Sequence, residues 1–492
     1  MGQDQDALRP AAARLAALAA GWTVMTLQLL GGRLMAPAFG QTIHQWGALI
    51  GVTLAFMTLG YWAGGQWGRR PRAGRLLPVL LGLSAGWAAL TPWLGRAASL
   101  QAEALLGPLG GALAAACVLL GPPAFALAAV SPLCVALLAR RFPAGPAAGA
   151  VSALGAMGSI GGTFFGAFLA VPYLGLVGGY ASAAVAAGLA ALATGMPWRA
   201  GAALAVLLVP GVLADRAARA GFIEVRETPY NTIYVFATPG ATVLSTNATH
   251  VVQTLRRHDG GPTGQYWDWL GAVPALAETA GSALFLGVAG GAAVEAGLRG
   301  FPGLRAEGVE IDPGIIEVAR RHFGLAIPVA AADARRFLAE GTAKFDVIVI
   351  DLYATGQIPA HVATREFYAE VARRLAPGGV VALNVFGAGA PELVLPPIAA
   401  TLGDVFATVL AADAGDGNTI LLAWAEAVDL ATARARLAAA PAGAQPAAGE
   451  LAAALAVPDA GWAGAGVLSD DRSDLDLRAA RALGALRRRV SD

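Results

Sequence analysis

The chain has 492 residues, 56% hydrophobic and 14% charged, with a formal net charge of +1. Soluble domains carry about 25% charged residues, so a single soluble domain is excluded, as are a disordered chain and a disulfide scaffold. The near-neutral balance hides two unlike parts: residues 1–213 hold 11 basic and 3 acidic side chains, the remainder 23 and 30.

That division predicts a polytopic membrane domain over 1–213 and a soluble region after it. Apolar segments long enough to cross a bilayer, about 20 residues, lie at 14–37, 45–66, 76–95, 105–139, 146–171 and 174–194, with a shorter one at 199–213. Arg69, Arg70, Arg72 and Arg75 place the second loop in the cytoplasm. Arg140 and Arg141 fall on the same side if 105–139 is one span kinked at Gly121-Pro122-Pro123. Six spans then return the chain to the cytoplasm, and the expected localisation is an integral inner-membrane protein with a cytoplasmic soluble domain. A hairpin within 105–139 would raise the total to eight. A full seventh crossing at 199–213 would put the soluble domain outside.

The membrane part has little chemistry. Between residues 10 and 213 its only acid is Glu103, read as a loop residue, which argues against ion-coupled transport. Arg33 reads as a snorkelling side chain. Cys117 and Cys134 read as buried small residues, and the Gly155–Gly162 run as a close helix-packing face.

From residue 222 the pattern changes. Phe222–Arg226 and Thr232–Phe236 alternate like strands, with further short strands in 242–254 and a helix at 264–279. Apolar runs at 283–286, 307–311, 345–350 and 380–385 then alternate with helices near 290–299, 313–323, 363–375 and 391–403. The expected fold is a multi-pass α-helical membrane domain, a small β-subdomain over 222–280, and an α/β Rossmann-like, class I methyltransferase-type doubly wound sheet over 281–430. Residues 439–492 read as an Ala/Pro-rich linker and tail.

Ligands of such sheets bind at the carboxyl ends of the strands. There the first strand is followed by Gly287-Val288-Ala289-Gly290-Gly291, which lets backbone approach a ligand. Glu310 ends the second strand at a spacing that suits a carboxylate on ribose hydroxyls. Asp333-Ala334 ends the third and suits an adenine amino group; Asp351 ends the fourth. Four strand-end features in this order point to a nucleoside sulfonium site. The histidines lack metal-ligand spacing, and no metal is expected.

Two resemblances join this reading. Gly32–Gly40, Trp46, Ile50-Gly51-Val52 and Leu59–Gly65 resemble the N-terminus of bacterial membrane proteins fused to a spermidine synthase domain, with Gly60–Arg70 similar to a major facilitator-type helix loop. Tyr230-Asn231-Thr232-Ile233, Gln253, Tyr266–Leu270, Glu310–Pro313, Asp333-Ala334-Arg335, Asp351 and Thr364–Tyr368 resemble, in order, the signature of spermidine synthases, the polyamine aminopropyltransferases. The resemblance implies that Asp351 deprotonates the amine and that Tyr266 lines its pocket. It also implies that Glu310 holds ribose and Asp333 adenine, with Asn231, Gln253 and Trp267 contacting the cosubstrate. Leu468–Arg472 resembles a C-terminal element of the fused proteins; by composition alone it reads as a helix cap.

The departures fall on one half of the site. Gly290 stands where the family has an aspartate for the aminopropyl ammonium, Ala354 where it has a second amine-holding aspartate, and Leu244-Ser245-Thr246 replaces Leu-Asp-Gly. Three readings stay open. The first is a membrane-anchored aminopropyltransferase using decarboxylated S-adenosylmethionine. The second is a methyltransferase or other alkyl transferase using S-adenosylmethionine in the same pocket. The third is a transporter or binding protein with a retired domain. Expected partners are a small-molecule amine or other acceptor, the lipid bilayer and a second copy of the chain, with no nucleic acid.

Overall fold

The chain divides into two compact units, residues 1–221 with 227–229, and residues 222–226 with 230–492. The computed structural model describes residues 9–40, 42–354, 356–387 and 389–491.

The first unit is built of helices. Among the described residues, five are long and apolar enough to cross a membrane: Pro10–Phe39, Ile43–Trp67, Ala73–Leu119, Gly121–Leu138 and Ala144–Ala193. Two of these stretches fold back on themselves. At Gly107 (φ 73°, ψ −178°) the chain reverses, so that Gly111 lies against Ala102 and the indole N–H of Trp87 donates to the Leu119 carbonyl at 3.0 Å. Gly175 (φ 65°, ψ −177°) reverses it again, bringing Gly179 against Ala170. Gly40 ends the first helix in the same conformation (φ 71°, ψ −174°). This region of backbone space is essentially reserved for glycine.

Hydrogen bonds continue through Leu120, from Leu120 N–H to Ala116 O (2.9 Å) and from Ala124 N–H to Leu120 O (3.0 Å). The helices Leu76–Leu119 and Gly121–Leu138 are therefore hydrogen-bonded across Leu120, with a bend where Pro122 and Pro123 have no N–H to give. The bend falls at the expected Gly121-Pro122-Pro123, and the reversal at Gly107 falls inside the expected 105–139 span.

These reversals give the bundle two ends. At the arginine end, Arg140 donates to the Arg70 carbonyl at 3.1 Å, joining the two basic loops. At the glycine end lie Gly40, Gly107 and Gly175. The last helix, Trp198–Arg219, starts near the arginine end, where Met196 touches Gly82, and runs back. Arg219 there faces Glu227 at 3.5 Å, and Glu227 also pairs with Arg33 at 3.4 Å. Arg33 is thus held by Glu227 and by the Pro229 carbonyl (3.0 Å) instead of snorkelling. Glu103, expected in a loop, is buried inside the third helix, because that helix runs past it to Gly107. Cys134 is buried as expected, but Cys117 is exposed.

Packing follows the small residues. Gly158 and Gly162 rest on the carbonyls of Leu18 and Trp22, where a Cβ would collide with backbone. Outward, Leu54, Trp62, Leu83, Leu94, Ile160 and Phe168 are each more than half exposed. Helices apolar inside and out suit a lipid surround.

The second unit starts with a four-stranded sheet in the order β1 (Glu224–Glu227), β2 (Thr232–Thr238), β3 (Ala241–Thr246), β4 (Val252–Arg257). Helix Tyr266–Ala272 leads to the main sheet. Its strands are β5 (Ser282–Leu286), β6 (Arg305–Glu310), β7 (Val329–Ala331), β8 (Phe345–Ile350), β9 (Leu375–Phe386), β10 (Thr408–Gly415), β11 (Asn418–Trp424) and β12 (Leu455–Ala456). They lie in the order β12-β10-β11-β9-β8-β5-β6-β7. The five from β9 to β7 are parallel, as expected. The other three are antiparallel, so the sheet is mixed. The cause is the tight turn Gly415-Asp416-Gly417, all at positive φ, since strands joined by so short a turn can only run antiparallel.

Alternation sends Leu284, Leu286, Ile348 and Ile350 to one face of the sheet and Phe285, Val347 and Val349 to the other. Both faces are buried, which explains the continuous apolar runs. Residues 439–450, read as a linker, are packed: helix Ala447–Ala454 buries Ala448 and Leu451 in the second of these cores. Alanine favours helix as strongly as any residue, so an Ala-rich stretch with one buried leucine folds where Gly and Ser would not.

A Cβ at Gly107 would touch nothing within 4 Å, and the same holds at Gly65 in the second helix. Gly107→Ala should therefore lower stability by about 1–3 kcal/mol through backbone conformation alone, and Gly65→Ala should leave it unchanged or raise it. Thermal unfolding of both variants in one detergent checks the order.

Candidate functional site

The parallel strands set the site. Between β5 and β8 the strand order reverses, and the crevice outside their carboxyl ends is where open α/β sheets bind ligands. The Asp351 N–H donates to the Leu286 carbonyl at 2.9 Å, so the last residues of β5 and β8 stay in contact. Gly287 follows at φ 83°, and a Cβ there would run into the Asp351 carbonyl. No other residue type fits this corner.

Asp351 follows β8 directly, at this crevice. The Tyr266 hydroxyl donates to one carboxylate oxygen at 3.1 Å and the Asn384 amide to the other at 2.9 Å. Burial raises the Asp351 carboxyl to about 6, against the pull of these two hydrogen bonds. Tyr266 starts its helix and stacks on Trp267, ring centroids 4.9 Å apart, and its phenol is pushed well above its usual range, by burial first and then by the charge of Asp351. Asn384 lies near the end of β9, buried, with its backbone carbonyl taking the Tyr353 hydroxyl at 2.9 Å. Tyr353 in turn accepts the Phe386 N–H at 2.8 Å. A carboxyl of this kind, held by two neutral donors, accepts a proton near neutral pH.

The second group gathers at the end of β6. Glu310 is buried and accepts the N–H of Ala289 at 3.2 Å and of Asp312 at 3.1 Å, one on each oxygen. Each oxygen keeps a lone pair, which suits a pair of vicinal hydroxyls. Burial raises its pKa, with the charge of Asp312 adding to the effect. Asp312 is fully buried; it caps the helix from Pro313 and takes the Asn231 amide at 3.0 Å. Asn231 also accepts from Asn247 at 2.9 Å. Asn231 therefore meets this cluster through Asp312.

Gln253 and Thr254 are on β4. The Gly290 N–H donates to the Thr254 hydroxyl at 2.8 Å, and Thr254 fills the space a side chain at 290 would need. Gly291, at φ 90°, caps the helix Ala292–Gly300. Asp333 and Ala334 follow β7. One Asp333 oxygen caps its own helix through Arg336 N–H (3.0 Å), and the other lies 3.5 Å from His361. Ala354 is exposed and exchanges backbone hydrogen bonds with Gln357 (2.8 and 3.1 Å).

So the structure joins Asp351 to Tyr266, the Gly287 turn to Glu310, and Gly290 to β4 beside Gln253. Asp333 keeps to the edge of this set. Sequence reasoning missed Asn384, Tyr353 and Thr254. Asn384 had a readable signal, the one amide in the otherwise apolar run Val380–Phe386.

No protein-family model matches the chain. It is 36% identical over 200 residues to a probable polyamine aminopropyl transferase of Bifidobacterium longum, covering 39% of this chain and 42% of that protein. It is 32% identical over 110 residues to a polyamine aminopropyltransferase of Vibrio vulnificus, covering 21% of this chain and 37% of that one. The chain thus spans less than half the length of the curated relatives it matches. Among solved structures, a probable spermidine synthase of Corynebacterium glutamicum is similar at 19% identity and TM-score 0.41, covering 51% of this chain and 98% of that one. Over the matched residues the sequence is similar to polyamine aminopropyltransferases.

An aspartate at 290 has no room: its Cβ would lie 2.7 Å from the Thr254 methyl. Gly290→Asp should destabilise by about 1–3 kcal/mol, and Thr254→Ala in the same chain should recover part of the loss. Paired thermal melts of the single and double variants measure it.

Proposed function

We propose that the chain is a membrane-anchored transferase that moves an aminopropyl group from decarboxylated S-adenosylmethionine to an amine. The observation that carries this reading is Asp351, a carboxyl at about 6 between Tyr266 and Asn384, in a chain similar over 200 residues to an aminopropyl transferase. The amine nitrogen attacks the methylene beside the sulfonium as the carbon–sulfur bond breaks. The electron pair leaves with sulfur as methylthioadenosine, and the proton passes to Asp351. A protonated amine is no nucleophile, so a base is needed. Glu310 is assigned to the ribose hydroxyls and Asp333 to adenine. Gln253 and the Gly287–Gly291 turn line the remainder of the donor pocket, with Asn231 and Trp267 behind it.

One observation favours a second donor. Gly290 is closed off by Thr254, so no acid stands where the donor's chain would lie, and a donor keeping its carboxylate meets no repulsion there. Mass spectrometry of the detergent-solubilised protein, given both donors and a panel of diamines, separates the readings. Methylthioadenosine formed only from the decarboxylated donor with an amine supports aminopropyl transfer. S-adenosylhomocysteine instead replaces it with methyl transfer, and neither product removes both.

Under this reading kcat/KM should fall as pH drops through about 6, because protonation removes the base form of Asp351. Asp351→Asn should lose about 10²–10⁴-fold in kcat while keeping nucleoside affinity. Tyr266→Phe removes a donor to the carboxylate and should move the acid limb to higher pH. A pH-rate series on the three proteins checks all of these.

The helical unit supports anchoring in a bilayer, by length, composition and outward apolar surface. Its arginine end is assigned to the cytoplasm. The last helix ends at the glycine end, so the helical unit passes the chain on from the far side. This reading stands beside the cytoplasmic placement expected from six spans. A single cysteine at Ser469, with Cys117 and Cys134 replaced, should react with an impermeant maleimide in intact spheroplasts. Labelling only after lysis would restore the cytoplasmic placement.

A further inference from the structure

The element Leu468–Arg472 is not a helix cap. Arg335 donates to both oxygens of Asp470, at 2.8 and 2.6 Å, and the Thr364 hydroxyl donates to Asp470 at 2.8 Å. The Asp470 N–H donates to Glu366 at 3.0 Å, and the Arg365 N–H to the Leu468 carbonyl at 2.9 Å. Arg335 also donates to the His361 carbonyl at 3.1 Å. The turn itself is anchored from below, where the Leu468 N–H donates to the buried Thr401 hydroxyl at 2.9 Å.

These contacts join two loops that share no strand pairing. Asp333-Ala334-Arg335 leaves β7, and residues 351–364 leave β8, beginning at Asp351 and ending at Thr364. They flank the carboxyl edge of the sheet from opposite sides of β5 and β6. Asp333 and His361, 3.5 Å apart, face each other across the gap that the Arg335–Asp470–Thr364 contacts close. A paired guanidinium–carboxylate fork fixes direction as well as distance. Arg335 is half-buried, 22% accessible, and Asp470 is exposed, at 40%.

We infer that Asp470 is a positioning residue for the nucleoside end of the site: through Arg335 and Thr364 it sets the separation of the two strand-end loops, and with it the place of Asp333. This rests on the reading of the site as one for a nucleoside. Asp470 touches no reacting atom, so its effect falls on affinity for the nucleoside and not on the chemical step. The Asp351 carboxylate is held independently by Tyr266 and Asn384.

The test uses the full chain in detergent, with methylthioadenosine and S-adenosylhomocysteine as calorimetric probes. Asp470→Asn and Arg335→Lys should each weaken binding of the probe that the unaltered protein prefers by tenfold or more. The KM for the matching donor should rise similarly, with kcat within about twofold. The double variant should bind no worse than the weaker single one, since both changes break one fork. Arg472→Ala, on the same turn but outside the fork, should bind normally, which separates loss of the fork from disruption of the turn. Unchanged affinity in Asp470→Asn, or a fall in kcat with affinity intact, overturns the inference and leaves the nucleoside reading standing. Failure of the unaltered protein to bind either probe overturns that reading and this one together.

Discussion

A carboxylate kept half out of water at the switch point of a parallel sheet is the constraint on which the second unit turns. Burial raises the affinity of Asp351 for a proton, and the Tyr266 and Asn384 donors oppose that rise without cancelling it. The balance depends on three separate elements arriving together. Tyr266 comes from the helix that joins the small sheet to the large one, Asn384 from β9 and Asp351 from β8. The corner is closed by Gly287, which approaches Asp351 so closely that a methyl group would strike its carbonyl. The register of β5 against β8 is therefore a condition of the chemistry, and the buried faces of those strands hold it.

Around this point the two ends of the site differ in electrostatic character. The end toward β6 is rich in fixed acceptors, with Glu310 and Asp312 oriented by backbone N–H groups and by Asn231. The end toward Ala354 and Gly290 is neutral. Ala354 spends its backbone on Gln357, and Thr254 occupies the space beside Gly290. The contrast is built into the packing, since Thr254 and Gly290 fit each other and an acidic residue at 290 would fit neither.

Much of this was legible in the sequence because it follows from periodicity. The alternation of apolar runs with helical patterns located β5, β6, β8 and β9 and the helices between them, and the acids at strand ends marked the crevice. The antiparallel β10–β11 hairpin was not foreseen, because the tight turn Gly415-Asp416-Gly417 lies beyond the alternating strand and helix pattern on which the doubly wound reading rests. The Ala-rich stretch after residue 439 misled because its packing hangs on one leucine, Leu451. Asn384, Tyr353 and Thr254 were missed for another reason. Each acts through a partner distant in sequence, and no local spacing encodes a contact of that kind. The same holds for Asp470, which lies 135 residues from Arg335.

The helical unit shows how little separates one topology from another. Hydropathy alone leaves 105–139 ambiguous between a kinked helix and a hairpin, and 199–213 ambiguous between an interfacial segment and a crossing. The first turns on backbone geometry at single residues. Gly107 takes a conformation that other residues adopt at a cost of about 1–3 kcal/mol, and the reversal there falls inside the 105–139 stretch. Pro122 and Pro123, the stronger helix breakers on paper, stand at a bend where hydrogen bonding continues on both sides. The last helix then meets Arg33 through Glu227, so an ion pair inside the first unit, and not a further apolar segment, marks the end of the bundle at which the chain departs.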